Sequence, residues 1–482
     1  MNPRPTPLRK ILDAEQFENL LQRMALPSAK NLADRNQNRL DAFCGLLVEA
    51  SLRLLPIEVW QRYKGNIAVD ATKVPIRGQR NSAGKIGSRS NPDPLAGRYM
   101  RAGSHGGTGA STDEAAYELE TAVMIWNSPG ENITFPSLVT EISCHNPGRL
   151  VGHAAALTAR HQKLGFDRFT AVFDRAYNYE RIETFHFPMA RLGVDLVFDY
   201  KAEDLGLQSH FENLILVDGS WYVNWMPEGL ITASRQIAAI EKAKDEARIV
   251  LYKSDHRTKT STAQELDDER AALVTVTDSA ETLPTLQQRL DARESYRMIP
   301  KGRRDKDGYQ RFSYPPIEKM LARPVNPPTV TSITVPPVLP INEDVAAGTP
   351  SGHKTRITGS ANLHTKPQSI KYAQPLPHNG TEWRGYYGMR SLVESSNNLL
   401  KSPAHGDIEN TKKRSGRGYA ATFLALTFAV VTSNLKRIAS FFVAEASRIE
   451  KSHIKTRARR RSDEHGAPLR RAEPAPPPTT LA

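Results

Sequence analysis

Two aspartates and a glutamate stand where carboxylates could do chemistry. Asp70 lies inside the apolar run NIAVDATKV, and Asp174 closes AVFD just before RAY. Glu394 is the one acid of YGMRSLVESSNNLLK, residues 387–401. A carboxylate beside a buried strand pays a large desolvation cost unless it is paired or metal-bound. Three carboxylates from separate elements can hold two divalent ions ~3.5–4 Å apart, activating water and stabilising a leaving oxygen in phosphoryl transfer. Hard carboxylate oxygens suit Mg²⁺ or Mn²⁺. Taken singly, each aspartate reads more plainly as the cap of a following turn or helix, and Arg390–Glu394 as a helical i,i+4 pair. The set of three shifts the balance towards a site.

The stretch 387–401 reads as one helix. At ~100° per residue, Tyr387, Arg390, Glu394, Asn398 and Lys401 fall on one face. Met389, Leu392, Val393, Leu399 and Leu400 gather opposite, a stripe that buries against a core and holds the polar face rigidly. Arg390 and Lys401 would then clamp the phosphates of a nucleic-acid strand entering the metal site.

Composition agrees with a polyanionic partner. The 482-residue chain carries a formal net charge of +13, an excess that attracts nucleic acid. Its two cysteines, Cys44 and Cys144, are too few for a disulfide framework or a zinc cluster. The N-terminal segment lacks the apolar core of a secretory signal. The most apolar stretch, residues 420–431, is shorter than the ~20 residues of a membrane span and continues into what reads as a long core helix. The protein is expected to be soluble and cytoplasmic.

Periodicity divides the chain into five parts. Residues 1–64 form a helical N-terminal module. Residues 65–201 carry predicted strands at 65–76, 115–127, 133–143, 169–174 and 194–201, with helices at 149–164 and across YERIETFHFPMARL, the latter interrupted near its proline. Antiparallel-looking strands followed by alternating helix and strand predict a mixed α/β sheet. Residues 202–385 break the rhythm as a long insertion, with a hairpin at 214–226 turning on Asp-Gly, partly helical KAKDEARIVLYK and ELDDERAALVTV, and a Pro-rich segment at 324–352. Helices resume over 386–447. The basic, then Pro-rich tail 448–482 has the composition of a disordered segment. Asp199, in LVFDYK, is a weaker copy of the strand-end aspartates and reads as structural.

The spacing Tyr387, two residues, Arg390, three residues, Glu394, six residues, Lys401 resembles the Tyr-Arg-Glu-Lys signature of DDE transposases of the insertion-sequence-four family. VDAT around Asp70 and FDRAY around Asp174 precede it in the right order, and ALTFAVVTSNLKRI is similar to the helix that follows it. The resemblance covers about 65–200 and 380–440; Ala176 departs from it, standing where relatives often have glycine. It implies a ribonuclease H-like α/β fold, a mixed sheet flanked by helices and interrupted by a partly β insertion. Asp70, Asp174 and Glu394 would be the catalytic, metal-binding triad for Mg²⁺ or Mn²⁺. Tyr387, Arg390 and Lys401 would contact double-stranded DNA at the element's terminal inverted repeats. Two ends must meet, which implies a homodimer assembled on DNA. Trp221 and Trp225 are candidates to stack on a flipped base; ordinary packing in the hairpin is the plainer reading. The basic loop 77–90 and the N-terminal helices are candidates for end recognition. Alternatives are a transposase-derived DNA-binding protein without cleavage, a metal-dependent nuclease on the same fold, and a basic scaffold, which leaves the acids unexplained.

Overall fold

The computed structural model describes residues 13–76, 93, 96–101, 111–148, 152–255, 282–338, 369–414 and 418–453. The loop 77–90, the ELDDERAALVTV segment, most of the Pro-rich stretch beyond 338 and the tail beyond 453 lie outside the described residues. Two compact units divide between Arg437 and Ile438.

In the first unit the chain opens with helices α1 (Ala14–Ala25), α2 (Pro27–Leu52) and α3 (Ile57–Trp60). Strands β1 (Ile67–Pro75), β2 (Gly97–Arg101), β3 (Thr112–Met124) and β4 (Val139–His145) follow. Next come α4 (His153–Gln162), β5 (Thr170–Phe173), α5 (Arg175–Asn178), α6 (His186–Leu192) and β6 (Asp195–Phe198). All six strands join one sheet, in the order β2-β3-β1-β5-β6, with β4 also on β3. The pairings of β3 with β1, β2 and β4 are antiparallel, whereas β1–β5 and β5–β6 are parallel. The protein is therefore mixed α/β, with a mixed sheet between helices.

Both faces of the central strands are covered, so their cores read as continuous apolar runs. Ile67, Ala68 and Val69 of β1 and Ala171, Val172 and Phe173 of β5 are fully buried. Ala68 and Val172 belong to the cluster that also takes in Cys44 and Val48 of α2. Ile67, Val69 and Phe173 pack on the other side with Ala154 and Leu157 of α4, Phe185 and Met189.

Several predicted boundaries move for local reasons. The strand predicted at 133–143 begins only at Val139, beyond Pro136, whose ring nitrogen has no proton for a sheet ladder. The helix predicted at 149–164 begins at His153, after Gly152 turns the backbone with φ 71°. In YERIETFHFPMARL the proline does not interrupt a helix. Pro188 sits in the first turn of α6, where its missing N–H has no partner to lose.

The insertion adds β7 (Leu207–Phe211), β8 (Leu214–Val217), β9 (Ser220–Val223), α7 (Glu228–Ile231), α8 (Ala233–Asp255) and α9 (Thr282–Ala292). It continues with β10 (Ile299–Pro300), β11 (Gln310–Ser313), β12 (Ser332–Val335) and α10 (Ser369–Tyr372). The β8–β9 hairpin turns on Asp218 and Gly219, both at positive φ, the two-residue turn that matches strand twist. Asp218 is buried and ion-paired with Arg293 at 2.5 Å. Three helices follow among the described residues: α11 (Thr381–Gly388), α12 (Ser391–Lys401) and α13 (Tyr419–His453).

α13 is long and apolar enough to cross a membrane by length and composition. Its Phe423, Leu426 and Val430 are fully buried in the sheet-facing cluster. Asn434 Nδ2 donates to Val139 O at 2.8 Å and to Ser51 Oγ at 2.9 Å, the contacts of a core helix.

Glu120 of β3 is fully buried, and burial pushes its carboxyl up to about 8, against the pull of the nearby Tyr177 hydroxyl and with Glu180 and Asp70 adding to the rise. Its folded value is raised, so the stability it contributes is complete below about pH 4.5 and lost as pH rises through about 8. Each pH unit between those values costs up to about 1.4 kcal/mol. Glu120→Gln is therefore expected to flatten the pH dependence of the urea midpoint between pH 5 and 8. Parallel wild-type and variant curves over that range would refute this.

Candidate active site

The parallel register sets the geometry. Val69 pairs with Phe173, and Phe173 with Phe198. Asp70, Asp174 and Asp199 are thus each the next residue after the same row across three neighbouring strands. In open α/β sheets this carboxyl edge is where ligands bind. β1 runs on through Asp70 because it still pairs with β3, where Thr121 lies opposite Asp70.

Glu394 comes from α12, which packs on β1 and β3. Val393 and Leu400 are fully buried and Met389 nearly so, as the predicted stripe requires. A second tie was not foreseen. Thr121 Oγ1 donates to Asn397 Oδ1 at 3.0 Å, both residues buried, pinning the helix beside Asp70. Asn397 sits three residues after Glu394 on the sheet side of the helix, and a polar residue within an apolar stripe is the one sequence signal that could have found it.

The helix predicted over 387–401 is two helices. Between α11 and α12 the backbone tightens into i→i+3 bonds, Met389 N to Tyr386 O and Arg390 N to Tyr387 O, both 3.0 Å. Gly388, a poor helix former, sits at the break. Tyr387 therefore belongs to α11, where its ring stacks on Trp383 at 4.6 Å and 12°.

Arg390 links the acids. Its Nη2 lies 2.5 Å from Glu394 Oε1 and its Nη1 3.9 Å from Asp174 Oδ2. The guanidinium also lies 5.9 Å from the centre of the Tyr387 ring. Asp174 serves both readings at once: its Oδ1 accepts from Arg175 N at 2.7 Å, capping α5, while Oδ2 faces Arg390. Asp199 holds the neighbouring position through His378 Nε2 at 2.8 Å and Tyr200 N at 2.8 Å. His378 carried no sequence signal, because its partner lies 179 residues away.

Burial pushes Asp70 up to about 6; Arg390 opposes this, while the Asp174 and Glu394 charges reinforce it. Burial alone would lower the Arg390 value, but Asp174, Tyr387 and Glu394 outweigh it and raise it. Tyr387 is likewise raised by burial and by Asp199 and Asp174.

Not every predicted residue joins this group. Lys401 Nζ pairs with Glu409 at 3.5 Å, two turns along α12 from Glu394. Trp221 is buried at 3% exposure in the insertion's apolar cluster, the packing that the plainer reading of the hairpin expects. Trp225 packs against the same cluster and donates to Met320 Sδ at 3.2 Å.

Three carboxylates around one guanidinium leave two excess negative charges. The donors are all oxygen, the chemistry of a hard divalent cation, and the Asp174 and Glu394 charges add to the rise that burial imposes on Asp70. Among the described residues no three His, Cys, Asp or Glu side chains stand together as a ready metal cage. A cation here competes with Arg390 for Asp174 and Glu394. The chain matches no model of a known protein family, no curated protein and no solved structure among those compared.

Asp70 has its folded value raised above the ordinary 3.8, so the stability it contributes is complete below about pH 3.8 and lost as pH rises through about 6. Asp70→Asn is expected to raise stability at pH 7.5 in metal-free buffer, by at most about 3 kcal/mol. The gain should vanish near pH 4, as read by urea unfolding. A variant no more stable than wild type at pH 7.5 would remove this account.

Proposed function

We propose that the chain is a DDE-type DNA transposase of the insertion-sequence-four kind, built on a ribonuclease H-like core. One observation carries the reading: Asp70 and Asp174 each follow the paired residues Val69 and Phe173 on adjacent parallel strands, and Arg390 bridges Asp174 to Glu394. Asp70, Asp174 and Glu394 would hold Mg²⁺ or Mn²⁺. The metal, when bound, supplies an activated water and neutralises charge on the leaving oxygen in phosphodiester cleavage and strand transfer.

The chain's own groups position the DNA. Arg390, once released from the acids, is a planar donor suited to a phosphate, and Tyr387 braces it from α11. Lys401 and the +13 net charge add non-specific attraction to the DNA backbone. A homodimer assembled on two element ends and a cytoplasmic, nucleoid-associated location belong to the same proposal. A second reading, a DNA-binding derivative without cleavage, is favoured by the ion pairs that Arg390 makes with two of the three acids.

The flanking inverted repeats, incubated with Mg²⁺, provide the test. Wild type is expected to nick and join the ends, and Glu394→Ala to bind them with cleavage reduced at least a thousandfold. Equal processing by both proteins rejects the catalytic assignment. Binding by both with cleavage by neither selects the second reading, and cleavage without joining selects a nuclease.

A further inference from the structure

Helices α2 and α13 lie side by side, and both pack on β4. Gln37 Nε2 donates to Tyr419 Oη at 2.6 Å, and Asn434 Nδ2 to Ser51 Oγ at 2.9 Å. Positions 37 and 51 of one helix thus meet 419 and 434 of the other, so the two run parallel and in step. Val48 and Val430, both fully buried, belong to the cluster beneath the pair.

The outer side of this pair is apolar. At about 100° per residue, Phe43 and Leu46 lie within about 40° of the direction opposite Val48, and Phe428 and Leu435 within about 40° of that opposite Val430. Phe43, Leu46, Phe428 and Leu435 are 52%, 63%, 57% and 41% exposed. Leu46 and Phe428 stand level, the same number of residues past the Gln37–Tyr419 tie, and packed helix axes lie about 8–10 Å apart. The four side chains therefore share one surface. Just past α2, Leu54 and Ile57 are exposed as well, at 60% and 59%. With roughly 100 Å² open on each large side chain, the six present about 600 Å², the upper limit for a free monomer and close to the ~800 Å² per partner of a stable interface.

We propose that this two-helix face is the contact between two copies of the chain, which pair through it in the absence of DNA. Small and large residues alternate along the outer side of α13, as Ala425, Phe428, Thr432 and Leu435. A twofold axis across the pair runs the second copy's α13 antiparallel to the first. Phe428 then meets the second copy's Thr432, and Leu435 its Ala425. Each bulky side chain packs on a small one, and one surface serves both partners, as an isologous contact requires. A lipid surface requires no such alternation. The inference does not rest on the transposition or metal-site readings, since none of its residues belongs to that site.

Sedimentation equilibrium of the full chain, without DNA or Mg²⁺, provides the test, with circular dichroism to check the fold of each variant. Wild type is expected to be dimeric at micromolar concentration. Phe428→Asp on α13 and Leu46→Lys on α2, each at an exposed position, should weaken self-association at least tenfold. The milder Phe428→Ser should weaken it severalfold, which keeps the test open if a charge disturbs either helix. A monomeric wild type would overturn the proposal, and so would a dimer that none of the three variants weakens. A monomer that floats with anionic lipid vesicles would assign the face to a membrane surface instead.

Discussion

The parallel alignment of β1, β5 and β6 is the constraint on which the candidate site depends. A charge within the two-sided core of β1, β5 and β6 is costly, and in these three strands the carboxylates stand where the fully buried apolar row ends. Because Val69, Phe173 and Phe198 lie side by side, the three rows run out together, and Asp70, Asp174 and Asp199 share one edge. Slipping one strand by a residue would turn its apolar set to the wrong face and separate the acids.

The helix that completes the group is held by two kinds of contact. Val393 and Leu400 supply the apolar seat, which by itself permits sliding and rotation. The buried Thr121–Asn397 hydrogen bond fixes the rotation, since leaving either group unpaired inside the core is costly. Arg390 then spans the gap between α12 and β5. In doing so it ties Asp174 to Glu394, and it makes the site's charge balance sensitive to any cation or phosphate that enters.

The insertion adopts a different physical solution. Its small sheets bury an apolar cluster of their own, and the Arg293–Asp218 pair sits inside it, fully hydrogen-bonded to carbonyls and to Gly206 N. Trp221 belongs to that cluster, and Trp225 packs against it. Where the insertion meets the edge of the main sheet, Arg168, Arg297, Arg303 and Arg304 line one cavity.

Much of the site was legible in the sequence because its signals are local. An acid inside NIAVDATKV or at the end of AVFD departs from an apolar run within a few residues, and Val393 and Leu400 repeat at helical spacing. The Asp218-Gly219 turn is equally local, since its backbone angles demand those residue types. The break at Gly388 was missed because the apolar stripe continues through it and only the i→i+3 bonding departs. The sequence by itself determined which carboxylates and bases were candidates and that a mixed α/β sheet would carry them. Only the tertiary structure decided that Arg390 meets both Asp174 and Glu394, that Lys401 turns to Glu409, that Trp221 is buried, and that His378 holds Asp199. Those outcomes depend on strand register and on contacts between residues far apart in the chain, which no local pattern encodes.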